Sequence, residues 1–360
     1  MTESQAYVAF NLTDHIGSAR LAPLVASAGS VADAWQAYPK KISRTGAEVN
    51  VEREYALAEK YGIKIVTPAD EAYPARLKDV AGFPLALYVK GDVSQLSKPM
   101  VAIVGTRRAS QYGLSVAASL ASDLASAGWC IVSGLALGID AAGHRGALDA
   151  RGSTVGVLGS ALDQFYPEQN RLLAKEIIEK SGAVVSQFAF GRHADTVTFP
   201  IRNHVVAALA SGVVAVECSR KSGTLITTTI AGELGRPVMA VPGRIDSKTS
   251  FGCNSLIRNG AILVRNADDV IETLTPFSTG KKKGDDSKEA ETENSSDPLT
   301  PPYTTEEALV MLHLDETGVS IDELVMKTHL SVQEVSRIAM SLRMKGFARF
   351  LPGNRIATMR

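Results

Sequence analysis

Between about residue 60 and residue 275, short apolar segments alternate with longer amphipathic segments. Each apolar segment suits a strand buried on both faces, and each intervening segment is long enough for a helix. Repetition of strand, helix and strand gives right-handed crossovers and a parallel sheet. The pattern therefore predicts an α/β fold with a doubly wound, extended Rossmann-like, mostly parallel sheet. The predicted strands lie at 63–67, 85–89, 101–104, 130–132, 154–158, 183–185, 213–216, 237–241 and 261–264.

The segments on either side of this alternation predict two smaller domains. The N-terminal segment contains amphipathic runs that are broken at Gly17 and Gly29, with Ser30 suited to cap the next helix, and resembles a SAM or helix-hairpin-helix domain. Near the C-terminus, three predicted helices precede two strands around the turn at 352–354, which is the order of a winged helix. Many charges and few apolar residues separate this unit from the sheet. The predicted organisation is a helical domain at 1–55, a Rossmann-like domain at 56–278, a disordered linker at 279–303 and a winged helix at 304–360.

Composition and charge exclude several classes of function. The formal net charge is +0, so a nucleic-acid site requires a local cluster of basic residues. No segment approaches the roughly 18 uninterrupted apolar residues that span a bilayer. The cysteines at 130, 218 and 253 form no CxxC motif, and no secretory leader precedes them. We therefore expect a cytoplasmic protein with reduced thiols and no membrane partner.

Loops that follow predicted strands or begin helices carry small residues, hydroxyls and basic side chains. Because the carboxyl ends of parallel strands share one edge of a sheet, we expect these loops to meet there. Backbone amides at helix starts and planar guanidinium groups both suit phosphate oxygens. Taken singly, each arginine is equally typical of a surface ion pair, and Ser-Gly-Thr of a capped turn. Together they predict an anion site formed by Gly105, Thr106, Arg107, Arg108, Arg202, Asn203, Lys221, Ser222, Gly223 and Thr224.

Asp140 and His144 are the residues of this region that most resemble catalytic groups. Asp140 begins the predicted helix 140–150, so a helix-capping role is favoured over catalysis. His144 has no second histidine or cysteine at metal-ligand spacing, so a packed histidine is favoured over a metal ligand. The sequence contains neither a nucleophile elbow nor a P-loop. We therefore predict no catalytic residue, no metal site and no cofactor.

Six segments of the central region carry motifs in a fixed order: VAIVGTRRASQYG (101–113), SGLALGIDAAGHRGAL (133–148), VGVLGSALDQFYPEQN (155–170), FPIRN (199–203), SGTLIT (222–227) and AVPGRIDSKTSFGCNSLIRNGA (240–261). These segments resemble the successive motifs of the DNA-processing protein A family (DprA or Smf). The resemblance implies a single-stranded DNA-binding protein that protects incoming DNA and loads the RecA recombinase during natural transformation. It also implies a homodimer, and it assigns the anion-site residues, apart from Arg108, to the DNA pocket.

The sequence departs from the family pattern at two positions. His204 stands where a second arginine usually follows FPxRN, and Gln187 stands where a glutamate usually follows the serine of an earlier motif. A histidine in place of an arginine predicts weaker or pH-dependent DNA binding, whereas Gln187 bears only on a local contact. The aromatic residues nearest to the predicted site, and so the candidates for base stacking, are Tyr112, Phe165, Tyr166 and Phe199.

The main alternative is a nucleotide-processing enzyme of the phosphoribohydrolase-like Rossmann group. The 223–227 segment faintly resembles the PGGxGTxxE signature of those enzymes, but Thr227 occupies the position of the catalytic glutamate. NAD binding is opposed by Arg107 and Ser110, which stand where a GxGxxG motif has glycines. For the winged helix, the weak basic bias of the third helix leaves DNA contact and protein docking open.

Overall fold

The protein is described by a computed structural model in which Met1–Gly280 and Lys281–Arg360 form two compact units. The predicted linker, the turn at 352–354 and Lys221 lie outside the described residues. The structure describes residues 1–13, 16–39, 41–43, 46–220, 222–275, 305–315, 318–328, 330–331, 334–335, 338–339, 342, 347–351 and 355–358.

A nine-stranded sheet runs through the first unit. Its strands are β1 (Lys64–Val66), β2 (Leu87–Gly91), β3 (Met100–Val104), β4 (Cys130–Ser133), β5 (Thr154–Val157), β6 (Ala183–Ser186), β7 (Gly212–Ala215), β8 (Val238–Ala240) and β9 (Ile262–Leu263). Their order across the sheet is β1-β2-β6-β5-β4-β3-β7-β8-β9. The strands from β3 to β9 pair in parallel, whereas β1 and β2 are antiparallel to their neighbours. The predicted doubly wound and mostly parallel sheet is confirmed.

The order of the strands reverses at β3. From β3 the chain proceeds to β4, β5 and β6 on one side, and then returns to β7, β8 and β9 on the other. Every residue of β3 to β7 is buried, because helices cover both faces of the sheet. In open α/β sheets, ligands bind outside the carboxyl ends of the strands at such a reversal. The topology therefore predicts a ligand site among the loops that follow β3, β4 and β7.

Twelve α-helices belong to the described part of the first unit: α1 (Glu3–Leu12), α2 (Ser18–Ala28), α3 (Val31–Ala37), α4 (Val51–Tyr61), α5 (Ala75–Lys78), α6 (Gln111–Ser126), α7 (Ile139–Asp149), α8 (Arg171–Glu179), α9 (Thr198–Leu209), α10 (Gly223–Glu233), α11 (Phe251–Arg258) and α12 (Ala267–Leu274). Ser30 caps α3 as predicted, since its Oγ accepts a hydrogen bond of 3.0 Å from the Asp33 amide. The first four helices share an apolar core with β2, in which the Phe10 and Trp35 rings lie 5.1 Å apart and Tyr88 is buried.

The second unit has the element order expected of a winged helix. Its described elements are α13 (Thr305–Met311), β10 (Val319–Ser320), α14 (Ile321–Thr328), β11 (Ala348–Leu351) and β12 (Arg355–Thr358). Residues 334–335, 338–339 and 342 are also helical. Ser331 caps this third helix as its Oγ accepts a hydrogen bond of 3.3 Å from the Glu334 amide. The three strands pair antiparallel in the order β10-β12-β11.

Two findings bear on the expectations from composition. No helix among the described residues is long and apolar enough to cross a membrane. Cys130, Cys218 and Cys253 are buried free cysteines. The Sγ atoms of Cys218 and Cys253 lie 3.7 Å apart, at a hydrogen-bonding rather than a covalent distance.

Glycine permits the close approach of α6 and α7. A Cβ added at Gly146 would collide with the Ala118 carbonyl oxygen, whereas a Cβ at Gly143, one turn earlier, would meet its nearest neighbour at an ordinary 3.4 Å. We expect Gly146→Ala to lower the free energy of unfolding by about 1–3 kcal/mol through overpacking. The matched variant Gly143→Ala should leave it unchanged or raise it by up to about 1 kcal/mol through helix propensity. Urea denaturation checks both values, and equal losses in the two variants would contradict this packing.

Candidate nucleic-acid interface

A cavity of about 480 Å³ lies at the carboxyl edge of the sheet, where the strand order reverses. We call it the switch-point cavity. The loops after β3, β4 and β7 and the first turns of α9 and α10 surround it. All the predicted anion-site residues that the structure describes line it, and Lys221, which would adjoin them in the chain, lies outside the described residues. These lining residues are Gly105, Thr106, Arg107, Arg108, Arg202, Asn203, Ser222, Gly223 and Thr224.

Arg107 is exposed and lies at the centre of the loop after β3. A Cβ at Gly105 would collide with the side chain of Ile139, so only glycine lets this loop lie against α7. The Thr106 amide donates a hydrogen bond of 2.7 Å to the backbone carbonyl of Glu217, which fixes the loop beside the end of β7. The guanidinium carbon of Arg107 lies 4.9 Å from the centroid of the Phe199 ring. This cation–π contact orients the guanidinium group while leaving its N–H donors available to a ligand.

Glu217 connects three loops of the carboxyl edge and was not singled out in the sequence. Its carboxylate is buried and accepts hydrogen bonds from the Ser110 amide at 2.9 Å and the Ser110 hydroxyl at 2.7 Å. It also accepts a hydrogen bond of 3.0 Å from the hydroxyl of Thr249, in the loop after β8. The only feature of the sequence that could have identified Glu217 was its position as an acidic residue at the end of a predicted buried strand. Its partners are distant in sequence, so the pattern alone does not reveal this role.

Arg202 forms the floor of the cavity rather than part of its exposed rim. It is only 5% exposed, and its Nη1 donates hydrogen bonds to the carbonyl oxygens of Val157, at 2.9 Å, and Gly134. Burial lowers the pKa of Arg202 to about 10, an effect that Asp140 opposes and the nearby charge of Arg107 reinforces. Arg202 therefore remains protonated at neutral pH. The Nε of Arg202 also donates a hydrogen bond of 3.1 Å to the Oδ1 of Asn203. Because the side chain is nearly buried and these two nitrogens are already hydrogen-bonded, its main effect on a ligand is electrostatic.

The prediction that Asp140 caps its own helix is wrong. The N-cap residue of α7 is Gly138, so no side chain caps this helix. The Oδ2 atom of Asp140 instead accepts hydrogen bonds from the amides of Gly134, at 3.1 Å, and Ala136, at 3.4 Å. Burial raises the pKa of Asp140, while the positive charge of Arg202 lowers it. The carboxylate thus holds the loop after β4 and offsets part of the charge of the buried arginine.

His144 is a packed histidine, as predicted. It is fully buried, and its Nδ1 lies 2.7 Å from the hydroxyl oxygen of Thr154. Burial, and secondarily the charge of Arg202, lowers the pKa of His144 to about 3. Among the described residues, no group of three or more His, Cys, Asp or Glu side chains is placed to hold a metal ion.

The lowered pKa of His144 predicts a loss of stability in acid. An unfolded histidine has a pKa near 6.5, so below this pH the unfolded chain takes up a proton that the folded protein excludes. The contribution of the neutral, buried His144 to the free energy of unfolding is complete above about pH 6.5. It decreases as the pH falls and is smaller by about 2 kcal/mol at pH 5. We expect His144→Gln to lose less stability than the wild type between about pH 7 and pH 5. Urea unfolding at the two pH values measures this difference, and identical pH dependence would contradict the buried neutral state.

The first turn of α10 presents backbone amides to the same cavity. Ser222 caps this helix, with its Oγ accepting a hydrogen bond of 3.2 Å from the Thr224 amide. Gly223 is exposed and a Cβ there would meet no atom within 4 Å, so the backbone at this point is open to a ligand. Helix N-termini favour anions because their first amides lack partners within the helix. The cavity thus combines a helix N-terminus with the guanidinium groups of Arg107 and Arg108.

Two aromatic residues extend this surface along the edge of the sheet. Phe199 lines the cavity, and the centroid of the Tyr166 ring lies 6.1 Å from that of Phe199. Tyr166 is 48% exposed, so a ligand can contact its ring. The other two stacking candidates are used differently: Phe165 packs against the guanidinium of Arg171, and the Tyr112 hydroxyl donates a hydrogen bond of 3.4 Å to the Pro242 carbonyl.

The structure places His204 away from the switch-point cavity. Its ring lies near Gly82, and burial lowers its pKa, while a backbone hydrogen bond at Ala81 and the charge of Glu233 act in the opposite direction. His204 does not line this cavity, and its predicted effect on DNA binding stays a prediction. The backbone carbonyl of Gln187 accepts a hydrogen bond of 3.4 Å from the side-chain amide of Asn11, whereas the side-chain Nε2 of Gln187 is buried and has no hydrogen-bond partner among the described residues. The expected local effect of the Gln187 side chain stays a prediction.

Comparison with known proteins agrees with these features. The family model described as DNA recombination-mediator protein A matches residues 64–275, and the DprA winged helix domain matches residues 294–354. Protein Smf of Synechocystis sp. is 30% identical over 392 aligned positions, which cover 98% of each chain.

Two solved structures are similar to this chain at 30% sequence identity. The X-ray structure of DNA processing protein A from Streptococcus pneumoniae superposes with a TM-score of 0.63, covering 77% of this chain and 99% of that one. The structure of DNA processing protein A from Helicobacter pylori, which concerns the single-stranded DNA binding mode of that protein, superposes with a TM-score of 0.53 over 59% of this chain and 95% of that one. With both family models matched in order along the sequence, this chain belongs to the DNA recombination-mediator protein A family, known as DprA or Smf.

Proposed function

We propose that this chain binds single-stranded DNA in the switch-point cavity, protects incoming DNA and loads the RecA recombinase during natural transformation. The observation that carries the proposal is the convergence of exposed Arg107, the N-terminus of α10 and the Phe199 ring on one cavity. Membership of a family of recombination mediators supports it. The single-stranded DNA binding of the Helicobacter pylori relative supports the choice of ligand.

Each part of the cavity suits a different part of a DNA strand. Arg107 and Arg108 supply the planar donors that bind phosphate oxygens, and the amides at the start of α10 add neutral donors. The buried charge of Arg202 attracts phosphate without itself contacting bases. Phe199 and Tyr166 offer ring faces on which bases stack regardless of their identity. Phosphate contacts of this kind position a strand, and stacking adds affinity with little sequence preference.

A binding role is favoured over nucleotide hydrolysis. Thr227, which occupies the position of the catalytic glutamate in the phosphoribohydrolase signature, is buried and lines the cavity. A threonine hydroxyl cannot act as the carboxylate of that signature. The carboxylate that the described residues do place there, Asp140, is tied to two backbone amides. Release of free base from a nucleoside monophosphate by the purified protein would contradict this assignment.

We further propose that the protein acts in the cytoplasm as a homodimer. The last strand of the sheet, β9, presents Ile262 and Leu263 at 41% and 42% exposure. An edge strand with exposed apolar residues favours pairing with another chain. Light scattering tests the assembly: a dimer should have twice the mass of one chain, and a single-chain mass at micromolar concentration would contradict it.

Salt dependence tests the proposed binding. We expect a fluorescent dT oligonucleotide of about 20 nucleotides, longer than the sites of typical single-strand binders, to bind with an affinity that falls as salt rises. Arg202 is buried beside Asp140, so about three cations, Arg107, Arg108 and Lys221, neutralise phosphates. Three contacts give a slope of about −2 for the logarithm of the binding constant against the logarithm of salt concentration. Fluorescence anisotropy measures it, and an affinity independent of salt would contradict the proposal.

A further inference from the structure

A second and larger cavity, of about 700 Å³, lies farther along the same edge of the sheet. We call it the rim cavity, and the loop that follows β6 forms one side of it. The loop that precedes β2 forms another side, and because β2 is antiparallel to β6 this loop lies at the same edge. Helix α4 closes the cavity with Arg53 and Glu54. Both cavities therefore open at the carboxyl edge of the parallel strands.

The rim cavity contains a buried carboxylate with one unused oxygen. Glu54 is only 6% exposed, and its Oε1 accepts hydrogen bonds from the Tyr88 hydroxyl at 2.7 Å and from the Phe190 amide at 3.1 Å. Its Oε2 accepts no hydrogen bond from the described part of the chain, and it is not one of the fully enclosed atoms without a partner. Glu54 lines the cavity, so this oxygen is open to it. Such an oxygen requires a hydrogen-bond donor, which a ligand would supply.

The first turn of α9 separates the two cavities. Phe199 and Arg202 line the switch-point cavity, whereas Ile201, which is 38% exposed, lines the rim cavity. In the sheet, β3 and β2 are separated by four strand spacings of about 4.8 Å, or about 19 Å in all. A stacked strand advances about 3.4 Å per nucleotide, so about six nucleotides cover this distance. One DNA strand can therefore reach both cavities.

We propose that a guanine base of the bound strand occupies the rim cavity and donates its N1–H and amino N–H groups to the open Oε2 of Glu54. The inference rests on the proposed DNA-binding function. Guanine alone among the four bases has these two donors side by side on its pairing edge. The single N–H of thymine lies between two carbonyl oxygens, which a carboxylate repels, and adenine and cytosine offer only an amino group.

The apolar lining of the rim cavity suits the flat faces of a base. Phe83 and Phe190 both line it and are partly buried, and rings of this kind stack on bases. The cavity also contains Arg53, whose charge suits a flanking phosphate, whereas Arg192 in the same lining is paired with Asp195. The carboxylate then accounts for selection among bases, since hydrogen bonds to base edges carry sequence information and phosphate contacts do not.

A competition experiment tests this assignment. A dT oligonucleotide of about 20 nucleotides is compared with versions that carry one central dG, dA or dC. In the wild type, we expect dG to tighten binding about fivefold or more and dA or dC to have smaller effects. Glu54→Gln should abolish the dG preference and retain the affinity for dT. The amide oxygen would keep the hydrogen bonds from Tyr88 and Phe190, and the NH₂ group would then face the donors of guanine. The matched variant Glu52→Gln, at an exposed residue of α4 that does not line the cavity, should keep the preference.

The possible outcomes separate this inference from the proposed function. Binding of the dT oligonucleotide without a dG preference in the wild type overturns the inference alone, and this comparison does not depend on the folding of any variant. An unchanged preference in a folded Glu54→Gln protein overturns it as well. No binding of any oligonucleotide overturns both proposals. Binding of free deoxyguanosine monophosphate is measured as well. If this nucleotide binds but dG in the oligonucleotide has no effect, the cavity is assigned to a small molecule, and the inference is overturned.

Discussion

Replacing Arg202 with alanine is expected to lower the free energy of unfolding by about 3–5 kcal/mol, the usual cost of removing one partner of a buried charged pair. The substitution leaves Asp140 as an uncompensated buried carboxylate. It also removes the donor that binds the carbonyl oxygens of Gly134 and Val157. The loop after β4 and the end of β5 would then lose the group that joins them, and the floor of the switch-point cavity would be lost with it.

Urea denaturation of Arg202→Ala measures this effect, and Arg202→Lys provides the matched control. Lysine keeps the positive charge beside Asp140 but lacks the planar fork that binds two carbonyls, so an intermediate loss is expected. A loss below about 1 kcal/mol for the alanine variant, a value typical of exposed positions, would contradict the structural role of Arg202. DNA affinity of the alanine variant should be compared only under conditions where it is folded.

Replacing Arg107 with alanine is expected to weaken binding of single-stranded DNA about tenfold or more, as loss of a charge-assisted phosphate contact does. The guanidinium group is exposed and held over the Phe199 ring. Its removal therefore takes away a phosphate ligand and a contact that orders the aromatic surface. The free energy of unfolding should change by less than about 0.5 kcal/mol, because the side chain contributes little to the core.

Anisotropy with the labelled dT oligonucleotide measures the affinity of the Arg107→Ala protein. Arg107→Lys should recover part of the affinity, since it restores the charge but not the planar fork. Arg145 is an exposed arginine of α7 that does not line the cavity, so Arg145→Ala is the matched control and should bind as the wild type does. Equal affinities for Arg107→Ala and Arg145→Ala would remove Arg107 from the DNA site.

The sequence predicted the sheet well because a strand that is buried on both faces has an uninterrupted apolar sequence. Segments such as 101–104 and 213–216 are wholly apolar, as parallel strands covered by helices must be. The antiparallel direction of β1 and β2 could not be predicted in this way, since a strand has the same apolar pattern in either orientation. The edge position of the site also followed from topology alone, because loops after parallel strands share one edge.

The roles of individual charged residues were harder to predict. Arg107 and Arg202 both follow the pattern of a basic residue at the predicted edge, but one is exposed and the other forms the floor of the cavity. The difference depends on Asp140 and on carbonyls more than 40 positions away in the chain. Glu217 was missed for the same reason: its partners Ser110 and Thr249 lie on other loops. Long-range pairing of this kind depends on tertiary structure rather than on local pattern.

Hydrogen–deuterium exchange with and without a dT oligonucleotide tests the central claim most directly, because it locates the bound strand in the unmodified protein. Amides with few protecting contacts exchange readily, and a ligand that covers them slows the exchange. The account predicts slower exchange in residues 105–110, 199–203 and 222–226, which surround the switch-point cavity. It predicts no change in α12, which does not line either cavity. Slower exchange confined to the winged helix at 305–358, or to no segment at saturating DNA, would contradict the assignment of this cavity to single-stranded DNA.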